Sequence, residues 1–136
     1  MEMIDEFART PETLQDALEK QAADIINVHP DQPGSFSTVK RQLAIAETFG
    51  VPLTIGGTGY TGIGSGAYWQ LCAALLPDKP CGELGGFFDH GMPVNSARCA
   101  HTISDGVLQF DLMSCGAGTE LDTEAIQPYV TECLTF

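Results

Sequence analysis

Positive charge is scarce in this chain: 6 lysines and arginines stand against 18 aspartates and glutamates, for a formal net charge of −12. A surface of that sign repels nucleic-acid phosphates and anionic lipid headgroups, so neither nucleic acid nor membrane is expected as a partner. A cation or a basic protein is the more natural complement. No two of the five cysteines (Cys72, Cys81, Cys99, Cys115, Cys133) form Cys-x-x-Cys, and their number is odd. This does not read as a zinc module or a disulfide framework; reduced thiols in a cytoplasmic protein are expected. The first residues, MEMIDEF, hold no basic segment and no long apolar stretch, so a signal peptide is not expected. Long hydrophobic runs are missing too. The most apolar region, Val51 to Leu76, is broken by glycines, threonines and Gln70, and is no membrane span.

What is present suffices for one globular domain. The chain has 136 residues, 43% hydrophobic and 18% charged, enough to build a core. A single domain over residues 1–136 is expected, with βα units to residue 106 and a tail over 107–136. Residues 2 to 7 hold a short strand end. Thr10-Pro11 then opens a helix, with a threonine cap, proline at the first helical position, and Leu14, Ala17 and Leu18 at helical spacing. Ile25 to Val28 reads as a buried strand. A second helix begins near Ser37, carries Val39, Leu43 and Ala46 on one stripe, and ends at Gly50. Val51 to Ile55 is a strand, followed by a glycine-rich loop, GGTGYTGIGSG, and a helix from about Ala67 to Leu76. A brief strand is expected at Cys81 to Leu84. Beyond it, Ser104-Asp105-Gly106 signals a turn, Val107 to Asp111 alternates like an exposed strand, and Asp122 caps a short helix.

Apolar strands interleaved with helices predict an α/β fold with a parallel sheet buried on both faces. Chemistry in such sheets gathers at the carboxyl ends of the strands. Asp5-Glu6, His29, Gly56-Gly57 and Glu83 all fall at that rim. Each has a plain alternative. Asp5 and Glu6 suit a hard cation such as Mg²⁺, or a solvated acidic pair at a helix start. His29 is an acid–base candidate or a structural histidine. Glu83, flanked by glycines in CGELGG, is a site acid or an exposed loop acid. Gly57-Thr58-Gly59-Tyr60-Thr61-Gly62 matches the dinucleotide pattern G-x-G-x-x-G, with Glu83 about twenty residues on, which would suit NAD. Pro77 and Pro80 leave almost no strand before that acid, and a glycine turn for close packing is the simpler alternative.

In order along the chain, IDEFARTPETL, ADIINVHPDQPGSFSTVKRQLAIAETFGVPLTIGG, GIGSGAYWQLCAALLPDKPCGELGG and DGVLQFDLMSCGAGTELD resemble the C-terminal half of the enolase superfamily. The likeness is greatest to its mandelate racemase and muconate lactonizing enzyme branch and covers nearly the whole chain. It implies the last four βα units of a (β/α)8 TIM barrel plus a C-terminal tail. It also implies Mg²⁺-dependent removal of an α-proton from a small carboxylic acid, leading to isomerisation, cycloisomerisation or dehydration. By the resemblance, Asp5 is the third metal ligand, at the end of the fifth strand, and Glu6 the acid that often follows it. His29 stands on the sixth strand where relatives carry a lysine or aspartate acid–base group. Glu83 matches the eighth-strand glutamate that hydrogen-bonds the developing enolate. The chain departs from the pattern at Gly56, where racemase-like members place a histidine. It departs again at Thr61, where several relatives carry glutamate, and at Cys115 and Ala117 in the tail.

The resemblance begins within the fifth strand, so two metal ligands and the second-strand lysines have no counterpart here. The isolated chain is therefore expected to be incomplete as a catalyst. Four βα units form an open sheet with bare edges, which a second copy or a complementary N-terminal fragment is expected to close. A truncated paralogue serving as a binding or oligomerisation module is the non-enzymatic alternative.

Overall fold

A computed structural model describes residues 1–57, 60–77 and 96–134 of the chain. The chain divides into two compact units, one of Met1–Thr58 with Leu71–Leu84, the other of Gly59–Gln70 with Gly85–Phe136.

The first unit runs β1 (Met3–Ile4), α1 (Pro11–Glu19), β2 (Ile25–Val28), α2 (Phe36–Phe49) and β3 (Leu53–Ile55). α1 starts at the expected Thr10-Pro11, and α2 starts at Phe36, one residue before the expected Ser37, and ends at the expected Gly50. The Thr10 hydroxyl accepts from the Thr13 amide, and the Thr13 hydroxyl accepts from the Thr10 amide, a reciprocal cap with Pro11 in the first turn. The Ser35 hydroxyl accepts from the Thr38 amide at the start of α2, and Gly50 closes it at φ 69°. The strands form a parallel sheet in the order β1-β2-β3, as expected for βαβ connections.

The register fixes which residues share a face. Ile26 pairs with Ile4 and Leu53, and Val28 with Ile55, so these point one way. Ile26, Val28, Leu53 and Ile55 are at most 4% exposed and join Leu14, Leu18, Val39, Leu43 and Ala46 in the apolar core. Gln42 is fully buried among them and donates from Nε2 to the Ala8 carbonyl at 2.7 Å, tying α2 to the chain before α1. The other face carries Asn27, opposite Thr54, and His29 two residues on. The sheet therefore alternates, and the expectation of strands without polar alternation is corrected. A single asparagine inside Ile25–Val28 is enough to give one face a polar line.

α3 (Gly62–Leu75) starts earlier than the expected Ala67, so half of the glycine-rich stretch is helix rather than loop. Space accounts for the glycines within it. A Cβ at Gly64 would come within 3.2 Å of Tyr60, and one at Gly66 would press on Thr119, 2.6 Å from its hydroxyl. Glycine costs helix propensity but permits this approach. Tyr68 and Trp69, further along, are buried. The expected strand at Cys81 to Leu84 lies outside the described residues.

In the second unit, β4 (Ala97–Cys99) pairs antiparallel with β7 (Thr119–Leu121), and β5 (Thr102–Ser104) with β6 (Val107–Gln109). Asp105 and Gly106 turn the β5–β6 hairpin with φ 51° and 76°, the two left-handed positions a two-residue hairpin loop requires. Buried His101 accepts from the Asp111 amide at Nδ1 and donates from Nε2 to the Ala117 carbonyl at 3.1 Å. Its ring lies against Phe110 and over Gly118, where any Cβ would strike it. Asp122 caps α4 (Thr123–Ile126) through the Ala125 amide and takes Arg98 on both oxygens, at 3.0 and 3.3 Å. A 3₁₀ turn, Gln127–Tyr129, follows. Among the described residues no helix is long and apolar enough to cross a membrane.

Two outcomes are expected. Bonding to Arg98, then to the Ala125 amide, lowers the Asp122 carboxyl from 3.8 to about 2. A depressed carboxyl stabilises the fold fully above its unfolded value and loses that share as pH falls through about 2. Carboxyl ¹³C titration should show this midpoint, and Arg98→Ala should raise it. Gly66→Ala should destabilise the chain by about 1–3 kcal/mol through overpacking. Thr119→Gly should relieve most of that loss in thermal unfolding of the double variant.

Candidate functional site

The carboxyl ends of the three parallel strands bring four residues together. Asp5 follows β1, Asn27 and His29 end β2, and Gly56 follows β3. In a parallel sheet all three strands finish on the same side, so side chains at this rim converge whatever their separation in sequence.

His29 Nε2 lies 2.7 Å from Asp5 Oδ1, an ion pair or short hydrogen bond in which the ring nitrogen donates. The His29 side chain is 8% exposed and that of Asp5 44%, so the pair is anchored in the protein and opens toward solvent through the carboxylate. The Asn27 amide donates to the same Asp5 oxygen at 3.3 Å. Two donors thus converge on one anionic acceptor. His29 Nδ1 and Asn27 Oδ1 are buried with no hydrogen-bond partner among the described residues. The rim therefore holds two unpaired polar atoms: an amide oxygen, which accepts, and a ring nitrogen, which accepts in the neutral ring and donates in the charged one.

The structure unites two of the four expected site residues, Asp5 and His29. Glu6 turns elsewhere. Its carboxylate lies 3.5 Å from Arg9 in an exposed pair, and its backbone carbonyl accepts from Arg9 Nε at 2.9 Å. An exposed pair of this kind contributes little to stability. Glu83 and Gly59 lie outside the described residues. Asn27 belongs to the site although the sequence reading placed it only in an apolar run. The signal for it was there: a lone amide between apolar neighbours, two residues before the rim histidine and so on its face.

As donors for Mg²⁺, these residues go part of the way. Asp5 is a hard anionic oxygen ligand at the solvent side of the rim. Among the described residues no three His, Cys, Asp or Glu side chains come together as a metal-holding group. The described residues do not by themselves make a magnesium site.

The second unit holds a recess of about 380 Å³ lined by Arg98, Cys99, Ser114, Cys115, Thr119 and Glu120, among others. Burial pushes the Cys99 thiol up, against the opposing hydrogen bond its sulfur accepts from the His101 amide. The described cysteines, Cys72, Cys99, Cys115 and Cys133, are free thiols.

Residues 3–125 match the family model described as enolase C-terminal domain-like. A dipeptide epimerase from Methylococcus capsulatus, complexed with Mg and the dipeptide L-Arg-D-Lys, is 25% identical over 79% of this chain and 30% of its own, with a TM-score of 0.68. A mandelate racemase/muconate lactonizing family protein from Azoarcus sp. EbN1 is 21% identical over 96% of this chain and 36% of its own, with a TM-score of 0.80. The N-succinyl Arg/Lys racemase from Bacillus cereus ATCC 14579 is 17% identical over 96% of this chain and 34% of its own, with a TM-score of 0.72. The last two show likeness of fold. The chain spans 30 to 36% of the length of these structures. No curated protein matches it at a comparable level of significance.

Removing the shared acceptor should be costly. Asp5→Ala leaves His29 Nε2 buried without its partner, and a loss of about 1–3 kcal/mol in urea unfolding is expected. Asp5→Asn keeps an acceptor oxygen and should lose less.

Proposed function

Because the chain belongs to the enolase C-terminal domain-like family, we propose that it forms the C-terminal part of a (β/α)8 barrel of the mandelate racemase/muconate lactonizing type. The activity we propose for that barrel is α-proton removal from a small carboxylic acid, with racemisation or epimerisation favoured over cycloisomerisation or dehydration. That preference follows the structural relatives, which include dipeptide epimerases and an N-succinyl Arg/Lys racemase. The observation that carries the proposal is the 2.7 Å bond between His29 Nε2 and Asp5 Oδ1 at the carboxyl rim of a parallel sheet.

The roles divide by position. Asp5 supplies one carboxylate to Mg²⁺, and the remaining ligands come from outside the described residues. Bound there, the cation would supply electrophilic stabilisation of a carboxylate substrate. Glu6, next in sequence but paired with Arg9, would join the metal region only by leaving that exposed pair. His29 keeps a proton at Nε2 on the Asp5 carboxylate and so sets the charge and orientation of that ligand. It is also the chain's acid–base group at this rim. Glu83 is the acid assigned to the developing enolate.

The same proposal calls for a partner surface. β1 is an edge of the sheet among the described residues, and Met3 and Phe7 beside it are 57% and 54% exposed. Further strands, from a second copy of the chain or from a complementary N-terminal segment, would pair there and close the sheet. Those exposed side chains also favour a second reading, in which the chain serves only as a binding or oligomerisation module.

Mn²⁺, standing in for Mg²⁺, should broaden the NMR signals of Asp5 and His29 in the wild-type chain. Asp5→Ala should weaken that effect at least about tenfold, given the 10–100-fold loss seen even for outer-sphere partners of metal sites. Broadening that ignores Asp5→Ala would sink Asp5 as a ligand. Sedimentation should show a mass above that of the monomer; a compact monomer would remove the second copy as the closing partner.

A further inference from the structure

We infer that Asn27 is a positioning residue of the rim site, holding the Asp5 carboxylate from a space that exists only because position 56 has no side chain. The inference rests on the role proposed for Asp5, and it concerns two residues to which that role assigned nothing.

Three observations carry it. Asn27 is 5% exposed, and its Nδ2 reaches Asp5 Oδ1 at 3.3 Å. The same nitrogen sits 3.4 Å from His29 Nε2. Both nitrogens point donors at Asp5 Oδ1, so their closeness reflects a shared acceptor rather than a bond between them. The carboxylate is thereby fixed from two directions, which one hydrogen bond alone does not achieve.

The second observation is the fit against Gly56. A Cβ on that residue would lie 2.5 Å from Asn27 Nδ2, 2.8 Å from Oδ1 and 3.0 Å from Cγ. Contacts that short are not tolerated, and Asn27 would have to move. Gly56 cannot retreat either, because its amide donates to the Val28 carbonyl at 3.0 Å. Nor is its glycine explained by backbone conformation: Gly56 is not among the residues at positive φ. What this position requires is empty volume, and the Asn27 amide is what fills it.

The third observation is the cost the protein accepts. Asn27 Oδ1 is buried with no partner among the described residues. A buried acceptor left unpaired is unfavourable, and an apolar side chain of similar size would avoid it. Packing alone would therefore not select asparagine, whereas orienting a carboxylate does.

The test uses the whole chain at one fixed pH. Solvent exchange of the His29 Hε2 proton reports whether the Asp5–His29 bond stays closed, and thermal unfolding reports whether each variant is folded. Asn27→Leu keeps the branched outline and removes the donor. Its His29 Hε2 exchange should quicken about tenfold, as expected when one charge-assisted bond is lost. Gly56→Ala should produce the same quickening with Asn27 still present. In an Asn27→Gly background, Gly56→Ala should add nothing, because the amide it displaces is gone. Asn27→Ala supplies the same reading if the leucine variant fails to fold. Unchanged Hε2 exchange in folded Asn27 variants would overturn the inference, as would full additivity of the two positions. Mn²⁺ broadening is read in parallel on the wild type: its absence removes the metal role of Asp5, while the Hε2 comparison still decides the role of Asn27.

Discussion

One carboxylate oxygen organises the first unit's rim. The pleat sends Ile26 and Val28 into the apolar core and, by the same alternation, sends Asn27 and His29 to the opposite face. Both are buried there, and buried donors must be bonded. Asp5 Oδ1 answers both. The apolar packing of α1 and α2 on one face thus has a counterpart on the other. A slip of one residue in β2 would bury the polar pair in the core and turn Ile26 and Val28 out of it at once.

Much of the first unit could be read from the sequence because its signals are local. Thr10-Pro11, Ser35 and Gly50 mark helix ends through bonds made within a few residues. Placing Asp5 and His29 at one rim needed only a parallel sheet and its direction. The pairing of their side chains was not legible, since it depends on register, and register is set by contacts 22 residues apart and more. Asn27 was hidden for the same reason. Inside Ile25–Val28 it looks like an interruption of an apolar strand; the two-residue spacing to His29 shows that they share a face, but not that both reach Asp5. The start of α3 is not legible because glycine locally argues against helix, while the glycines at 64 and 66 answer to the nearness of Tyr60 and Thr119. In the second unit the Asp105-Gly106 turn and the Asp122 cap were visible. The β4–β7 pairing, joining residues about twenty apart, left no local trace.

The glycines sort into two kinds, and the difference matters more than their number. Gly50 and Gly106 answer to the backbone: their φ values are positive and nothing stands near where a side chain would be. Gly56 and Gly66 answer to a neighbour, giving room to Asn27 and Thr119. Gly118 does both, at φ 67° and beneath the His101 ring. A glycine of the first kind tolerates asparagine; at one of the second kind any side chain displaces the neighbour. Among the glycines after β3, Gly56 and Gly66 are thus set by what stands beside them rather than by a turn of the backbone.

The shortness of β1 has a consequence for how this chain behaves in a crowded solution. An exposed sheet edge is a template on which any extended segment can add, and runaway addition ends in aggregates. An edge of two residues, Met3–Ile4, offers too few backbone groups to hold a stranger in place. For a segment meeting this edge, contact with the exposed Met3 and Phe7 side chains would weigh more than backbone pairing.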